Sequence, residues 1–271
     1  MKIIVLLTIF VMSISNCYAE TCDKKESKTL ILYYSQTGTT RKVAEELQKR
    51  LGADIEEIQA TNPYNGTYEE TIKRCIEERK KDELPHIRPL KSDLKRYRTI
   101  FLGYPVWFGT YARPVITLVK SFKFANREII PFCTFGSGGL IESSNNLKKD
   151  LPLATIKSGF GIREARISKV EEELDRFLKL NGFIAGKAEI YPEYSEQRPV
   201  NKEDTKIFNS ACSSYKYPLG TPIAVSSRKT SKGIDYLFIA KGKTPDGKEV
   251  NSKIYVTVEK NKEPEFTMVV R

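Results

Sequence analysis

The sequence is poor in the residues that many catalytic and metal sites use. It has one histidine, His86, and one tryptophan among 271 residues. His86 lies in the polar stretch "DELPHIRP", and no Ser-His-Asp or Cys-His arrangement is recognisable around it. The five cysteines have spacings that suit no zinc site. The sequence therefore predicts no metal ligands and no catalytic side chain.

Common nucleotide-binding motifs are also missing. Neither G-x-x-x-x-G-K-[ST] nor G-x-G-x-x-G occurs anywhere in the chain. The formal net charge is +11, but no arginine-rich run or nucleic-acid motif accompanies it. We therefore interpret the charge as a diffuse basic surface and expect no nucleic-acid partner.

Long apolar runs are absent, apart from one short segment near the N-terminus. Lys2 precedes "IIVLLTIFVM", and "SISNCYAETC" follows it. A charged start, about ten apolar residues and the small residues Cys17 and Ala19 predict a signal peptide over residues 1–19. Two alternatives are a lipid anchor on Cys17 and a buried N-terminal strand. No transmembrane helix is expected, so we expect an exported protein that is periplasmic, secreted or tethered as a lipoprotein.

Strands and helices alternate between residues 28 and 185. The strand segments are 29–35, 54–60, 99–107, 128–136 and 154–160, and the helical segments between and after them are 40–52, 68–81, 113–122, 141–151 and 168–182. The strands are continuous apolar runs, as in a parallel sheet that is covered on both faces. Right-handed crossovers then predict a doubly wound, five-stranded, three-layer α/β domain. Such domains bind ligands at the carboxyl ends of their strands.

The pattern changes after about residue 197. Segment 201–215 is a predicted helix, and the segments that follow alternate apolar and polar residues between turns such as "TPDGKE". This pattern predicts a second, smaller α+β domain with an antiparallel sheet over residues 198–271.

A loop rich in hydroxyl groups, "SQTGTT" (35–40), follows the first strand and precedes a helix. Free backbone N–H groups at a helix N-terminus favour an anion, and hydroxyls add further donors. Without a lysine in the loop, this arrangement suits a phosphate that stays bound and does not react. The alternative is a simple helix cap in which Thr39 or Thr40 is the capping residue.

Two further unusual loops follow the third and fourth strand segments. "GYPVWFGTYARP" (103–114) places Trp107 beside Phe108, and aromatic side chains at a strand end favour a flat partner. The alternative is that Trp107 folds back into the core. "TFGSGG" (134–139) has little side-chain bulk, so its backbone N–H groups can approach the edge of a ring. A phosphate loop, a stacking loop and a backbone loop together predict a site for flavin mononucleotide (FMN).

"SQTGTT", "GYPVWFG" and "PFCTFGSGG", in this order, resemble the flavodoxin family over about residues 28–185, and most of all an exported bacterial branch with a P-[IV]-W-[WF]-G loop. The resemblance implies that FMN is bound by three groups of residues. The residues implied to hold the FMN phosphate are Ser35, Gln36, Thr37, Gly38, Thr39 and Thr40. Those implied to line one side of the flavin ring are Pro105, Val106, Trp107, Phe108 and Gly109. Those implied to line its other edge are Thr134, Phe135, Gly136, Ser137, Gly138 and Gly139. Flavodoxins are usually acidic, whereas this chain is basic.

The second domain resembles the cystatin fold, in which a helix packs on a four-stranded antiparallel sheet. The Q-x-V-x-G hairpin of inhibitory cystatins corresponds here to "KTSKG" (229–233), where only the glycine matches. The resemblances imply an exported FMN-binding electron-transfer protein whose partner is another redox protein or a small-molecule acceptor. Two alternatives are an FMN-dependent NAD(P)H:quinone-type oxidoreductase and a flavin-free binding protein that uses the basic second domain.

Overall fold

The computed structural model describes residues 28–243 and 247–271. The predicted signal peptide and the alternative lipid site at Cys17 lie outside these ranges. Within them, no helix combines the length and the apolar character needed to cross a bilayer.

The first domain alternates strands and helices along the chain. Its elements are β1 (Lys28–Tyr33), α1 (Thr39–Leu51), β2 (Asp54–Glu57), α2 (Tyr68–Lys80), β3 (Tyr97–Trp107), β4 (Thr110–Tyr111), α3 (Arg113–Ser121), β5 (Glu128–Phe135), α4 (Leu140–Asp150), β6 (Thr155–Ile156), β7 (Phe160–Arg163) and α5 (Val170–Leu180). The parallel strands have the order β2-β1-β3-β5, and both β6 and β7 pair with β5 on its far side.

The sheet is covered on both faces because successive residues of a strand point to opposite sides. Leu30 and Leu32 of β1 belong to one apolar cluster, which includes residues of α3 and α4. Ile31, between them, belongs to the other cluster, which includes residues of α1 and α5. The predicted doubly wound α/β fold is therefore confirmed.

The last predicted strand, 154–160, differs from the structure. The sheet position beside β5 is filled by two short strands, and residues 157–159 between them are not paired as a strand. Ile129 pairs with Ile156 and Phe132 with Phe160, so the outer chain has one more residue than β5 over this interval. Pro131, which has no N–H to donate, lies in the same interval of β5. A Cβ on Gly159 would lie 2.5 Å from the Pro131 carbonyl oxygen, so only glycine fits there.

The second domain is a separate antiparallel sheet with one helix. Its elements are β8 (Arg198–Pro199), α6 (Lys202–Cys212), β9 (Thr221–Lys229), β10 (Gly233–Lys243), β11 (Glu249–Glu259) and β12 (Glu265–Val270), with the sheet order β12-β11-β10-β9-β8. Helix α6 begins with a capping box between Asn201 and Asp204. Phe208 of this helix packs against Phe238 of the sheet, with ring centroids 5.3 Å apart.

Candidate functional site

A cleft of about 930 Å³ lies at the carboxyl ends of β1, β3 and β5. The three loops singled out from the sequence meet there, because parallel strands end at the same edge of the sheet. The cleft is lined by Gln36, Thr37, Thr39, Pro105, Val106, Trp107, Phe108, Gly109, Thr134, Phe135, Gly136, Ser137, Gly138 and Gly139. Three residues predicted with them, Ser35, Gly38 and Thr40, do not line it.

The hydroxyl loop turns into α1 at Gly38, which is the N-cap residue and has a φ of 90°. A residue with a side chain rarely adopts this conformation, so glycine is required by the turn. The cap has no side-chain hydrogen bond, and Thr39 and Thr40 already belong to the helix. The alternative that one of these threonines caps α1 is therefore wrong. The Gly38 N–H donates instead to the Ser35 hydroxyl at 3.1 Å.

The N-terminus of α1 has donors to offer. Within the described residues, the backbone N–H groups of Thr39, Thr40 and Arg41 form no hydrogen bond, and the first helical bond runs from Lys42 to Gly38. The hydroxyls of Thr37 and Thr39 lie 3.2 Å apart beside them. These groups suit an anion, which the positive end of the helix dipole also favours.

Two of the predicted phosphate-loop residues hold the loop in place. The buried hydroxyl of Thr40 lies 2.8 Å from that of Thr134 at the end of β5. The side-chain amide of Gln36 donates to the Tyr64 carbonyl and to the Thr71 hydroxyl, at 3.2 and 2.6 Å. Thr40 thus joins the first loop to the third, and Gln36 joins it to α2.

Glu164 is a charged group at the site that sequence reasoning missed. Its carboxylate accepts a hydrogen bond from the Thr39 hydroxyl at 3.3 Å, and it lines the cleft. Glu164 follows β7, which begins at Phe160, whereas the sequence predicts a strand that ends there. A carboxylate at this position disfavours a bound phosphate by like-charge repulsion.

The second predicted loop is a tight hairpin. Trp107 pairs with Thr110 across antiparallel β3 and β4, and the turn residues Phe108 and Gly109 have φ of 51° and 77°. Two positive φ angles are what a two-residue type I′ turn requires. Phe108 is the non-glycine residue of the pair, so its backbone is strained. Its ring is 50% exposed at the cleft.

Trp107 lines the cleft and also packs into the domain. Its ring meets Tyr34 and Tyr64 edge-on, with centroid distances of 5.8 and 5.0 Å. Burial raises the pKa of both tyrosines, so their hydroxyls remain protonated at neutral pH. Trp107 therefore packs partly against the core, as the alternative predicts, and also lines the cleft.

The third loop runs from Thr134 to Gly139 and leads into α4. A Cβ built on Gly136 meets no atom within 4 Å, so the backbone here is open to the cleft. The Gly136 carbonyl accepts a hydrogen bond from the Arg163 guanidinium at 2.9 Å. The Ser137 carbonyl accepts one from the backbone N–H of Val269, in the second domain, at 2.8 Å.

The cleft has a further group of lining residues that the sequence did not indicate. The second domain contributes Tyr215, Tyr217, Val269, Val270 and Arg271, and the first domain adds Tyr68, Ile141, Glu142, Asn145, Asn146 and Lys149. The positions of the five residues from the second domain depend on how the two domains dock, and the local sequence pattern does not indicate this docking.

The thiols near the site are not reactive groups. Cys133, in β5, is fully buried, and burial raises its pKa far above the ordinary value. Burial also raises the pKa of Cys75 to about 11. Both therefore remain neutral thiols at physiological pH. Within residues 28–243 and 247–271, no cluster of three or more His, Cys, Asp or Glu side chains could hold a metal ion.

Comparison with known proteins identifies the first domain. A family model described as flavodoxin matches residues 28–179, which is more than half of the chain. The chain therefore belongs to the flavodoxin family. No curated protein matches the sequence.

Three of the solved structures similar to the chain each match about half of it. A predicted flavoprotein from Bacteroides eggerthii is 28% identical (TM-score 0.47), and one from Bacteroides uniformis is 26% identical (TM-score 0.49); each match covers 55% of this chain and 96% or 98% of the other. A flavoprotein from Lactobacillus acidophilus, solved in complex with FMN, is 24% identical (TM-score 0.46), over 55% of this chain and 99% of its own.

Proposed function

We propose that this protein binds FMN in the cleft at the ends of β1, β3 and β5 and transfers electrons through it. The observation that carries the proposal is the convergence of the hydroxyl loop, the aromatic hairpin and the glycine loop on one cleft. Membership of the flavodoxin family supports the same cofactor.

The residues of the cleft fit FMN in chemistry. Thr37, Thr39 and the free N–H groups at the start of α1 would bind the phosphate. The half-exposed ring of Phe108 and the cleft side of Trp107 offer apolar faces to a flat ring. The backbone at Gly136 is open enough to approach a ring edge.

When bound, FMN supplies the redox chemistry, and the chain binds and orients it. The hydroxyl loop fixes the phosphate end, and the hairpin fixes the ring. No side-chain acid or base is required for electron transfer of this kind. Thr134, which lines the cleft, is itself buried.

For the second domain we propose a cystatin-like fold without inhibitory activity. The turn between β9 and β10, which corresponds to the inhibitory hairpin of cystatins, is occupied by contacts within the chain. The backbone N–H of Ser231 donates to the Glu189 carboxylate at 2.8 Å, and Lys232 pairs with Glu172 of the first domain. A hairpin held in this way is not free to enter a protease cleft.

We also propose that the protein is exported, on the basis of the apolar segment that follows Lys2 and the small residues Cys17 and Ala19. The mass of the protein isolated from its native cells tests this. A chain that begins at Glu20 supports secretion, and a lipid-modified chain that begins at Cys17 supports tethering. A chain that retains residues 1–19 unmodified contradicts export.

FMN and riboflavin, which differ by the phosphate, test the proposed cofactor. Titration of the purified protein with each, followed by flavin fluorescence, should show tighter binding of FMN. A Thr37→Val, Thr39→Val double variant should weaken FMN binding and leave riboflavin binding unchanged. Equal affinity for the two flavins would contradict the phosphate site, and absence of binding to both would favour a flavin-free protein.

A further inference from the structure

The second domain forms one wall of the cleft. Tyr215 and Tyr217, after α6, and Val269, Val270 and Arg271, at the end of β12, line the same space as the three flavodoxin loops. The second domain therefore borders the cleft on the side of the third loop.

The contact between this wall and the third loop is close. Besides the Val269–Ser137 hydrogen bond, the Val269 carbonyl oxygen lies 2.1 Å from the position that a Cβ on Gly138 would occupy. The φ of Gly138 is not in the left-handed region, so its own backbone conformation does not require glycine. Glycine is required instead because the second domain lies so close that a side chain at position 138 would collide with it.

Arg163 joins the two domains from beneath the loop. Its guanidinium is buried and donates to the Gly136 carbonyl at 2.9 Å and to the Phe266 carbonyl, in β12, at 2.6 Å. It also lies over the Phe266 ring, 4.3 Å from the centroid. A buried cation needs its hydrogen-bond acceptors. If the domains separated, Arg163 would lose the Phe266 carbonyl, which is one of these two acceptors.

A set of ion pairs continues the contact away from the cleft. Lys169 of the first domain lies 2.7 Å from Glu259 and 2.6 Å from Glu265, both in the second. Arg166 lies 3.1 Å from Glu265 and also pairs with Glu173. The pKa of Glu259 is lowered to about 2, mainly by Lys169. These linked pairs join the wall to the first domain at a second place.

Two exposed tyrosines, one from each domain, line the cleft. Tyr68, at the start of α2, is 63% exposed, and Tyr217, in the second domain, is 47% exposed. Burial, and then the nearby Tyr217, raise the pKa of Tyr68, and both tyrosines line the cleft. Exposed aromatic side chains that line a cleft suit a small flat molecule.

We propose that the second domain is a fixed wall that makes the cleft selective for small planar electron acceptors over protein electron partners. This inference rests on the proposed FMN-dependent function. Transient complexes of redox proteins bury up to about 1,200 Å² in total, or about 600 Å² on each side, and the wall covers part of the rim of the cleft that such a partner has to reach. A small ring system needs only a small part of that area.

Matched charge reversals in the full-length protein test this selectivity. Glu265→Arg places three cations together at the domain contact. Glu203→Arg changes the net charge equally, but Glu203 is an exposed residue of α6, with a side chain 71% exposed, and pairs only with Lys206 within the described part of the chain. Amide exchange at Val269 first reports whether each variant remains docked.

The FMN-loaded proteins are then reduced anaerobically with dithionite, separated from it, and mixed with benzoquinone or with the acidic haem protein cytochrome b5. Two electrons and two protons pass to benzoquinone, which becomes hydroquinone, while oxidised FMN is regenerated. With cytochrome b5, each ferric haem takes one electron, and the protons go to solvent.

We expect the parent and Glu203→Arg to reduce benzoquinone at least about tenfold faster than cytochrome b5. Glu265→Arg should expose Val269 to exchange and raise the cytochrome rate about tenfold, within the one to three decades over which mutants of one interface vary. Its quinone rate should stay unchanged.

The inference is overturned if the parent reduces both acceptors at similar rates, whatever the variants do. It is also overturned if Glu265→Arg leaves Val269 protected, because the ion pairs then do not fix the wall. In both cases FMN binding stands. A parent that binds no FMN instead refutes the proposed function, and this is visible before any acceptor is added.

Discussion

The hydroxyl of Thr39 donates a hydrogen bond to the carboxylate of Glu164 at the N-terminus of α1. The favourable end of the helix dipole thus already has an anionic side chain beside it. A phosphate bound by Thr37 and Thr39 has to compete with this carboxylate, which gives Glu164 a measurable effect on the cofactor.

Glu164→Gln is expected to tighten FMN binding. Because the Thr39–Glu164 contact is exposed, removal of one like charge near the phosphate is worth about 1 kcal/mol at the dielectric of water, or about fivefold in Kd. The gain should shrink with added salt and should be absent for riboflavin. Fluorescence titrations with both flavins measure it.

Glu142→Gln is the matched control for this change, because Glu142 lines the cleft beside Gly109 rather than beside the hydroxyl loop. It should leave the ratio of the FMN and riboflavin affinities unchanged. If both substitutions change that ratio equally, Glu164 has no specific relation to the phosphate.

Phe108 and Trp107 should differ in what they stabilise. Phe108→Ala removes an exposed ring, so it should weaken FMN and riboflavin equally, by about tenfold, with little change in Tm. Trp107→Ala also removes the contacts with Tyr34 and Tyr64, so it should lower the free energy of unfolding by about 2 kcal/mol as well. Flavin titration and thermal unfolding of both variants separate the two roles. A Phe108→Ala variant that loses Tm but keeps its flavin affinity would argue against this division.

Alanine at two glycines of the third loop should act differently on domain docking. A Cβ at position 138 would meet the Val269 carbonyl oxygen, whereas a Cβ at position 136 meets no atom. Gly138→Ala should therefore speed amide exchange at Val269 in the flavin-free protein, and Gly136→Ala should leave it slow. Equal exchange in the two variants would show that Gly138 does not set the contact between the domains.

Acid should remove the stabilisation that Glu259 provides. Lys169, and then Lys262, lower the pKa of this carboxyl from 4.5 to about 2. A carboxyl with a lowered folded-state pKa stabilises the fold above its unfolded pKa and loses this contribution as pH falls through the folded value. The difference in unfolding free energy between the parent and Glu259→Gln should be full above pH 4.5 and should vanish as pH approaches 2. A difference that is constant over this range would contradict the role of the charged pair.

The sequence predicts the first domain well because its signals are local. Apolar strand runs, amphipathic helices and the loops that contain Gly38, Trp107 and Gly138 are each visible within a few residues. The broken strand at 154–160 was not predictable, because its break depends on Pro131 and Gly159 meeting across the sheet. The sequence predicts a loop where the structure has the aromatic hairpin. The two-residue turn of this hairpin needs a positive φ at Phe108, which is unusual for a residue with a side chain, so the sequence does not indicate the turn.

The wall of the cleft could not be read from the sequence for a different reason. Ser137 and Val269 are far apart in the chain and belong to different domains, and neither residue type indicates a partner. The ion pairs of Lys169 with Glu259 and Glu265 are ordinary charged residues in any local window. Only the docking of the two folded domains brings these groups together.

An absorption spectrum shows whether the cleft holds FMN. The purified protein is saturated with FMN, passed through a desalting column and scanned in the visible range. We expect a yellow protein with one flavin per chain. A colourless protein, together with unchanged fluorescence of Trp107 when FMN is added, would show that the cleft does not hold FMN.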